Sequence, residues 1–215
     1  MEATRHYNIL NEIWNAITHG IAVGLAIAGL ILLLLRATDA WQTVSFALYG
    51  AMLILLFLFS TLRHSLAFTR AATLFRVFDH NGIYLLIAGT YSPYTLVTLR
   101  TYPNAWLGWT IFGLVWACAI TGVTLTSIFL RGNKHSKLST GLFVLMGWVI
   151  LVAIWPLYQQ LAPAGFWLLV AGGVTYSLGA LFYHYKFPYA HVVWHLFVMV
   201  AAFLMWLSIY GFVGK

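Results

Sequence analysis

Charge is scarce in this sequence, and acidic residues are the scarcest. Its 215 residues include 11 Lys and Arg and only 4 Asp and Glu, so charged residues make up 7% of the chain, against roughly 25% in a soluble domain. A soluble domain of this length needs more charge to cover its surface, which excludes that class of protein. A disordered chain is excluded too, because disorder requires low hydrophobicity together with high charge.

Cysteine and concentrated positive charge are also lacking. Cys118 is the only cysteine and lies within an apolar run, so no disulfide can form inside the chain. The net charge of +7 does not form one basic patch, because the basic residues stand in short clusters between apolar runs. That distribution is typical of a membrane protein and predicts no nucleic-acid partner.

Apolar residues dominate what is present. They make up 62% of the chain, and the mean hydropathy is +0.89. Seven runs reach the length of about 20 residues that a membrane-spanning helix needs. The sequence therefore predicts an all-α integral membrane protein in which residues 1–215 form a single seven-helix bundle, and Pro93 is expected to kink the third span. The predicted spans are roughly 14–35, 41–62, 79–99, 105–130, 138–157, 165–184 and 190–212.

The orientation of the bundle follows from the basic residues, since Lys and Arg accumulate in cytoplasmic loops. With the N-terminus in the cytoplasm, most of the basic residues fall on the inner side of the membrane. An odd number of spans then places the C-terminus outside. The inner set is Arg5, Arg63, Arg70, Arg76, Arg131, Lys134, Lys137 and Lys186, and the outer set is Arg36, Arg100 and Lys215.

Histidines and a carboxylate gather on one predicted side of the membrane. His191 and His195 open the last span four residues apart, a spacing that stacks both imidazoles on one helix face. His64 ends the second span and Asp79 begins the third, so the predicted topology brings both to the depth of that pair. Ser60 precedes His64 by one turn and lies about 6 Å deeper in the bilayer. This set of donors suits Zn²⁺, which favours four-coordination by nitrogen and oxygen ligands.

Five segments occur in the order that one known family shows. They are NEIWNAITHG (11–20), STLRH (60–64), FDHNGIYLLIAGTYSPY (78–94), GGVTYSLGALFY (172–183) and HVVWH (191–195). In this combination the chain resembles the bacterial hemolysin III family, relatives of the progestin and adipoQ receptors within a superfamily that includes alkaline ceramidases. The resemblance implies seven helices with the N-terminus inside, in the bacterial inner membrane. It also implies zinc held by His64, His191 and His195, with Asp79 contacting the zinc-bound water and Ser60 beside it.

Other polar residues near the spans carry further expectations. His80 directly follows Asp79, and adjacent residues at a helix start point about 100° apart, so His80 is not counted as a ligand. Glu12, Asn15 and His19 match the N-terminal family motif, and capping or packing beneath the site is the favoured interpretation. Glu12 is not expected to act as a base because it precedes the first predicted span. The remaining histidines are expected to be solvated or interfacial, namely His6, His135 and His184.

Two functions of different classes fit these residues. The first is zinc-dependent hydrolysis within the membrane, with a lipid amide or ester as substrate; Asp79 accepts a proton from water and Ser60 donates a hydrogen bond to the developing oxyanion. In the second, zinc is structural and the protein is a non-enzymatic membrane-homeostasis factor or lipid sensor. A pore-forming hemolysin has the weakest support, because there is no amphipathic soluble-to-membrane segment and no ring of intramembrane charge. The identity of the lipid and the oligomeric state stay open.

Overall fold

A computed structural model describes the backbone of residues 2–101, 103, 105–129, 137–183 and 187–215. Within these ranges all regular structure is helical, which confirms the predicted all-α class. Some residues used in the sequence analysis lie outside the described backbone or the described side chains. They are Arg5, His6, Arg131, Lys134, His135, Lys137, His184 and Lys186.

The described part of the chain contains eight α-helical segments. Two of them, α5 and α6, are joined by a 3₁₀ turn at Val149–Ala153 and follow each other within one rod. The segments are α1 (Glu2–Arg36), α2 (Ala40–Ser65), α3 (Ala72–Pro93), α4 (Trp106–Phe129), α5 (Lys137–Trp148), α6 (Ile154–Gln160), α7 (Pro163–Phe182) and α8 (Ala190–Phe212).

Six helical stretches in the described ranges are long and apolar enough to cross a membrane. They match six of the seven predicted spans to within a few residues at most ends. The first begins earlier than the predicted residue 14, because its polar first turns continue the helix of the apolar run. The six stretches are Asn8–Arg36, Ala40–Ser65, Trp106–Ile128, Thr140–Gln160, Pro163–Phe182 and Ala190–Phe212.

The remaining predicted span, 79–99, corresponds to α3 and the turns that follow it. The α-helix ends at Pro93, and the chain continues as a π-helical turn over Tyr94–Thr98. Proline lacks the N–H that an α-helical bond needs, so a change of hydrogen-bonding pattern at this position has a direct cause. Residues 88–99 are all buried. This segment therefore lies inside the bundle, where it can carry polar side chains that a lipid-facing helix excludes.

Helix packing brings the start of α1, the end of α2 and the start of α8 together. α2 packs against α1 and α3, while α8 packs against α7 and α1. The buried side of α1 follows helical spacing and is polar at one end only, because Asn15 and His19 precede Ala22, Ala26 and Leu33. The polar end of this buried side of α1 faces the region where the histidines of α2 and α8 lie.

A glycine in α4 permits a close approach to the turns after α3. A Cβ atom at Gly108 would lie 2.6 Å from the Thr95 carbonyl oxygen and 3.1 Å from the Arg100 nitrogen, both backbone atoms. We expect Gly108→Ala to destabilise the bundle by about 1–3 kcal/mol, as overpacking does. Gly113→Ala is the matched control, since a Cβ there meets no atom within 4 Å; it is expected to stabilise α4 by up to about 1 kcal/mol. Unfolding titrations in detergent measure both, and equal effects would contradict this packing.

Candidate metal centre

Three histidines from two helices converge at one end of the bundle. His64 lies in the last turn of α2, and His191 and His195 lie in the first turns of α8. One nitrogen from each ring lies within 4.8 Å of the others, so the three could hold a metal ion. The structure thus brings together the three predicted ligands. Among the described residues, this is the group of histidine, cysteine and acidic side chains whose ligand atoms lie close enough together to share a metal ion.

Hydrogen bonds on the outer ring nitrogens fix which nitrogen faces the centre. His64 Nδ1 lies 2.6 Å from Glu12 Oε2. Because a carboxylate only accepts, Nδ1 donates and Nε2 keeps its lone pair. Thr18 Oγ1 lies 3.0 Å from the Trp14 carbonyl oxygen, to which it donates, and 3.2 Å from His195 Nδ1, from which it accepts. We therefore assign Nε2 as the metal-facing atom of His64 and His195.

The free nitrogens of this cluster fit a metal. The Nε2 atoms of His64 and His191 are buried and have no hydrogen-bond partner in the described part of the chain. A buried polar atom without a partner costs about 1–3 kcal/mol, and coordination removes that cost. Three neutral imidazoles form the protein ligand set of a zinc site with an open fourth position. The donor set is therefore chemically suited to Zn²⁺.

Glu12 has a role that the sequence analysis did not anticipate. The expectation that this residue precedes the first span is wrong, because α1 begins at Glu2 and the membrane-length stretch begins at Asn8. Its carboxylate contacts His64 instead of capping the helix. A carboxylate on the far nitrogen of a metal-binding imidazole orients the ring and makes it more basic. The shared family motif was the signal that singled Glu12 out.

Removing the Glu12 carboxylate is expected to weaken metal binding without abolishing it. Glu12→Ala should raise the zinc dissociation constant about 10–100-fold, the usual cost of losing such a support. Asp39→Ala is the matched control, since the Asp39 carboxylate only caps α2 through the Gln42 N–H. That control should lose about 1 kcal/mol of stability and keep its zinc affinity. Competition with a fluorescent chelator measures both constants, and equal zinc affinity in Glu12→Ala and wild type would contradict the assigned role.

Asp79 and Ser60 lie beside the histidines on one cavity. The cavity has a volume of about 150 Å³ and is partly open. Its polar lining at the histidine end includes Ser60, Asp79, His191 and His195. Ser60 is buried, and its Oγ has no partner in the described ranges. The rest of the wall is mostly apolar, with residues such as Leu86, Phe143, Trp148 and Val198.

An ion pair holds the carboxylate at the cavity. Asp79 Oδ2 accepts a hydrogen bond from Arg63 Nη1 at 2.7 Å, and both side chains are mostly buried. In the sequence, Arg63 served only as a marker of topology, and its pairing with Asp79 was not predicted. The signal for this pairing was the position of Arg63, a charged residue at the end of a membrane helix and directly before the proposed ligand His64. The pair holds one oxygen of the Asp79 carboxylate and leaves the second oxygen, Oδ1, outside this contact.

Two further histidines lie near the centre but outside the three-histidine cluster. His19 stacks on His195 with ring centroids 3.5 Å apart and an interplanar angle of 8°. Its edge contact with Phe57, at 5.0 Å, completes a packed layer. The expected packing beneath the site thus describes His19 well, although the residue also lines the cavity. His80 is buried against Phe143, with ring centroids 5.0 Å apart.

Comparison with known proteins finds similarity over nearly the whole chain. Residues 7–206 match the family described as haemolysin-III related. The chain is 44% identical over 209 residues to Hemolysin-3 of Bacillus cereus, covering 95% of this chain and 93% of that protein. Hemolysin-3 homolog of Bacillus subtilis (strain 168) is 41% identical over 197 residues, which is 90% of each. Human monocyte to macrophage differentiation factor is 26% identical over 208 residues, covering 94% and 84%.

Proposed function

This chain belongs to the haemolysin-III related family of integral membrane proteins, and we propose that it is a zinc-dependent hydrolase that cleaves an amide or ester bond of a membrane lipid. One observation carries the proposal. Two of the three histidines that could hold a metal, His191 and His195, line the polar end of an apolar cavity, together with the carboxylate of Asp79 and the hydroxyl of Ser60. Metal ligands, a proton acceptor, a hydrogen-bond donor and an apolar space beside them are the parts that hydrolysis of a lipid requires.

His64, His191 and His195 would hold the zinc through their metal-facing nitrogens. When bound, zinc supplies Lewis-acid chemistry at the substrate carbonyl and makes water acidic enough to react at neutral pH. Glu12 and Thr18 hold the rings of His64 and His195 in place, so the ligands are already oriented before substrate enters. Such orientation is the protein's main contribution at a metal site.

Asp79 and Ser60 provide the proton transfer and the hydrogen bond that acyl cleavage needs. Asp79 Oδ1 accepts a proton from water and returns it to the leaving amine or alcohol. The Arg63 contact holds the other carboxylate oxygen and so aims Oδ1. Ser60 Oγ, buried and unpaired in the described ranges, donates to the carbonyl oxygen as negative charge develops there. The apolar wall of the cavity receives the acyl chain and keeps bulk water away from it.

The proposal includes an orientation for the site. All seven predicted spans cross the membrane, with α5 and α6 together forming one of them. The N-terminus lies in the cytoplasm, and the site lies at the cytoplasmic edge of a bacterial inner membrane. The excess of basic residues on that side supports this arrangement. A reporter fused after Lys215 is expected to lie outside the cytoplasm. A reporter found in the cytoplasm would overturn the orientation.

A second function has an observation of its own. The cluster links α2 to α8 directly, and Glu12 and Thr18 connect both to α1. A metal here would clamp the first two helices to the last one, as a structural ion in a non-enzymatic lipid sensor or membrane-homeostasis factor does. The two bacterial relatives are named as hemolysins, but pore formation by this chain keeps the weakest support of the three functions.

Product analysis with purified protein separates the two functions. Zinc-loaded protein in lipid vesicles is offered a panel of ceramides, acyl amides and acyl esters, and released fatty acid is quantified by mass spectrometry. We expect fatty acid from at least one lipid class, loss of release after chelation, and recovery when zinc is returned. No release from fully zinc-loaded protein, under conditions in which an active alkaline ceramidase cleaves its lipid, would refute the hydrolase and favour the structural ion.

A further inference from the structure

Two polar side chains on α1 are buried beside the metal centre without hydrogen-bond partners among the described residues. Asn15 is 1% exposed and His19 is 3% exposed, and they lie one turn apart on the same face of the helix. Both side-chain polar atoms of Asn15 and both ring nitrogens of His19 have no hydrogen-bond partner in the described part of the chain. Four buried polar atoms therefore stand together where α1 meets α2 and α8.

This arrangement indicates a polar ligand between the helices. Each unpaired buried polar atom costs about 1–3 kcal/mol, and buried polar groups in folded proteins find protein or water partners in the great majority of cases. Exchanging the amide oxygen and nitrogen of Asn15 does not help, because neither position has a hydrogen-bond partner within the described ranges. A mixture of donors and acceptors without charge suits water, and a buried water makes about three hydrogen bonds.

His19 connects this polar pair to the cavity. Among the described residues that line the cavity, α1 contributes His19, while the apolar wall comes from α2, α3, α5, α7 and α8. The His19 ring also lies flat on His195, one of the three ligands. A water held between Asn15 and His19 is thus one side chain away from the metal centre, on the side away from the apolar wall.

We propose that Asn15 and His19 bind ordered water in a polar pocket on the α1 side of the metal centre, at the end of the cavity away from its apolar wall. The water binding stands on these buried atoms alone. Its role, which rests on the proposed function, is to supply the water consumed in hydrolysis while an acyl chain fills the cavity and blocks entry from that side. Each turnover adds one water across the acyl bond, giving a carboxylic acid and a free amine or alcohol, so a supply route behind the lipid is needed.

Radiolytic labelling in ¹⁸O water tests the pocket directly, because buried side chains are labelled when bound water lies next to them. We expect His19 in the wild-type protein to be labelled well above Phe46, a fully buried core residue. Asn15→Leu, which replaces the amide by an apolar group of similar size, should reduce His19 labelling to the level of Phe46. Asn81→Leu is the matched control, since Asn81 is also buried in a helix but pairs with Ser127 at 2.8 Å; it should leave His19 labelling unchanged.

The outcomes separate this proposal from the hydrolase itself. His19 labelling no higher than that of Phe46 in wild type overturns the pocket, as does unchanged labelling in Asn15→Leu. If Asn15→Leu does not fold, the wild-type result decides. Labelled His19 without any lipid hydrolysis supports the pocket and counts against the proposed function alone. Where hydrolysis occurs, Asn15→Leu is expected to lower kcat while KM and zinc content stay at wild-type values, and an unchanged kcat would overturn the supply role.

Discussion

Asp79→Asn is expected to lower the rate of lipid hydrolysis about 10²–10⁴-fold, the usual contribution of a general base, while zinc content stays at the wild-type level. The amide keeps the shape of the side chain and can still accept a hydrogen bond from Arg63, but it cannot take a proton from water. Because Asp79 is not one of the three proposed metal ligands, its replacement leaves those ligands intact. Fatty-acid release and metal content are measured on the same purified sample.

The control for this variant is Asp39→Asn. Asp39 carries a carboxylate at the start of α2, where it accepts the Gln42 N–H at 2.8 Å, so its replacement tests the loss of an acidic side chain far from His64 at the other end of the helix. Its hydrolytic rate should equal that of wild type. A fully active Asp79→Asn protein would remove Asp79 from the mechanism and support the structural role of the metal.

Removal of zinc is expected to lower the stability of the bundle strongly. The metal would join α2 and α8 through His64, His191 and His195, and a ligand present at 1,000 times its dissociation constant stabilises the folded state by about 4 kcal/mol. For a chain of this size that corresponds to a fall of roughly 10 °C in Tm. Thermal unfolding in detergent, with and without a chelator, measures the change.

His64→Ala provides the internal comparison for this stability effect. The variant is expected to unfold at one temperature whether or not zinc is present, because it lacks a ligand. His80→Ala should keep the zinc-dependent increase, since His80 lies outside the three-histidine cluster. A zinc-dependent increase in His64→Ala as large as that of wild type would contradict the assigned ligand set.

Much of the fold could be predicted because the bilayer imposes a length on apolar helices. Six of the seven apolar runs are membrane-length helices near their predicted limits. The run at 79–99 differs because its surroundings are protein, so local composition and Pro93 decide its form: an α-helix to Pro93 and then a π-helical turn. Neither hydropathy nor length carries information about which helix is enclosed by others.

The histidine cluster was predictable because the i, i+4 spacing of His191 and His195 acts within one helix. Placing His64 beside them required only the ends of the spans. The contacts of Glu12 and Arg63 were not predictable in the same way, since each depends on how two helices rotate against each other. Glu12 meets His64, and Arg63 meets Asp79, across helix interfaces that no single-helix pattern describes.

Both proposed functions require that His64, His191 and His195 hold zinc. Elemental analysis of protein purified without added metal measures this, with wild type compared with His195→Ala and His80→Ala. We expect stoichiometric zinc in wild type and in His80→Ala, and none in a folded His195→Ala protein. Wild-type protein without zinc, or His195→Ala protein that retains it in full, would show that these histidines do not form the zinc site.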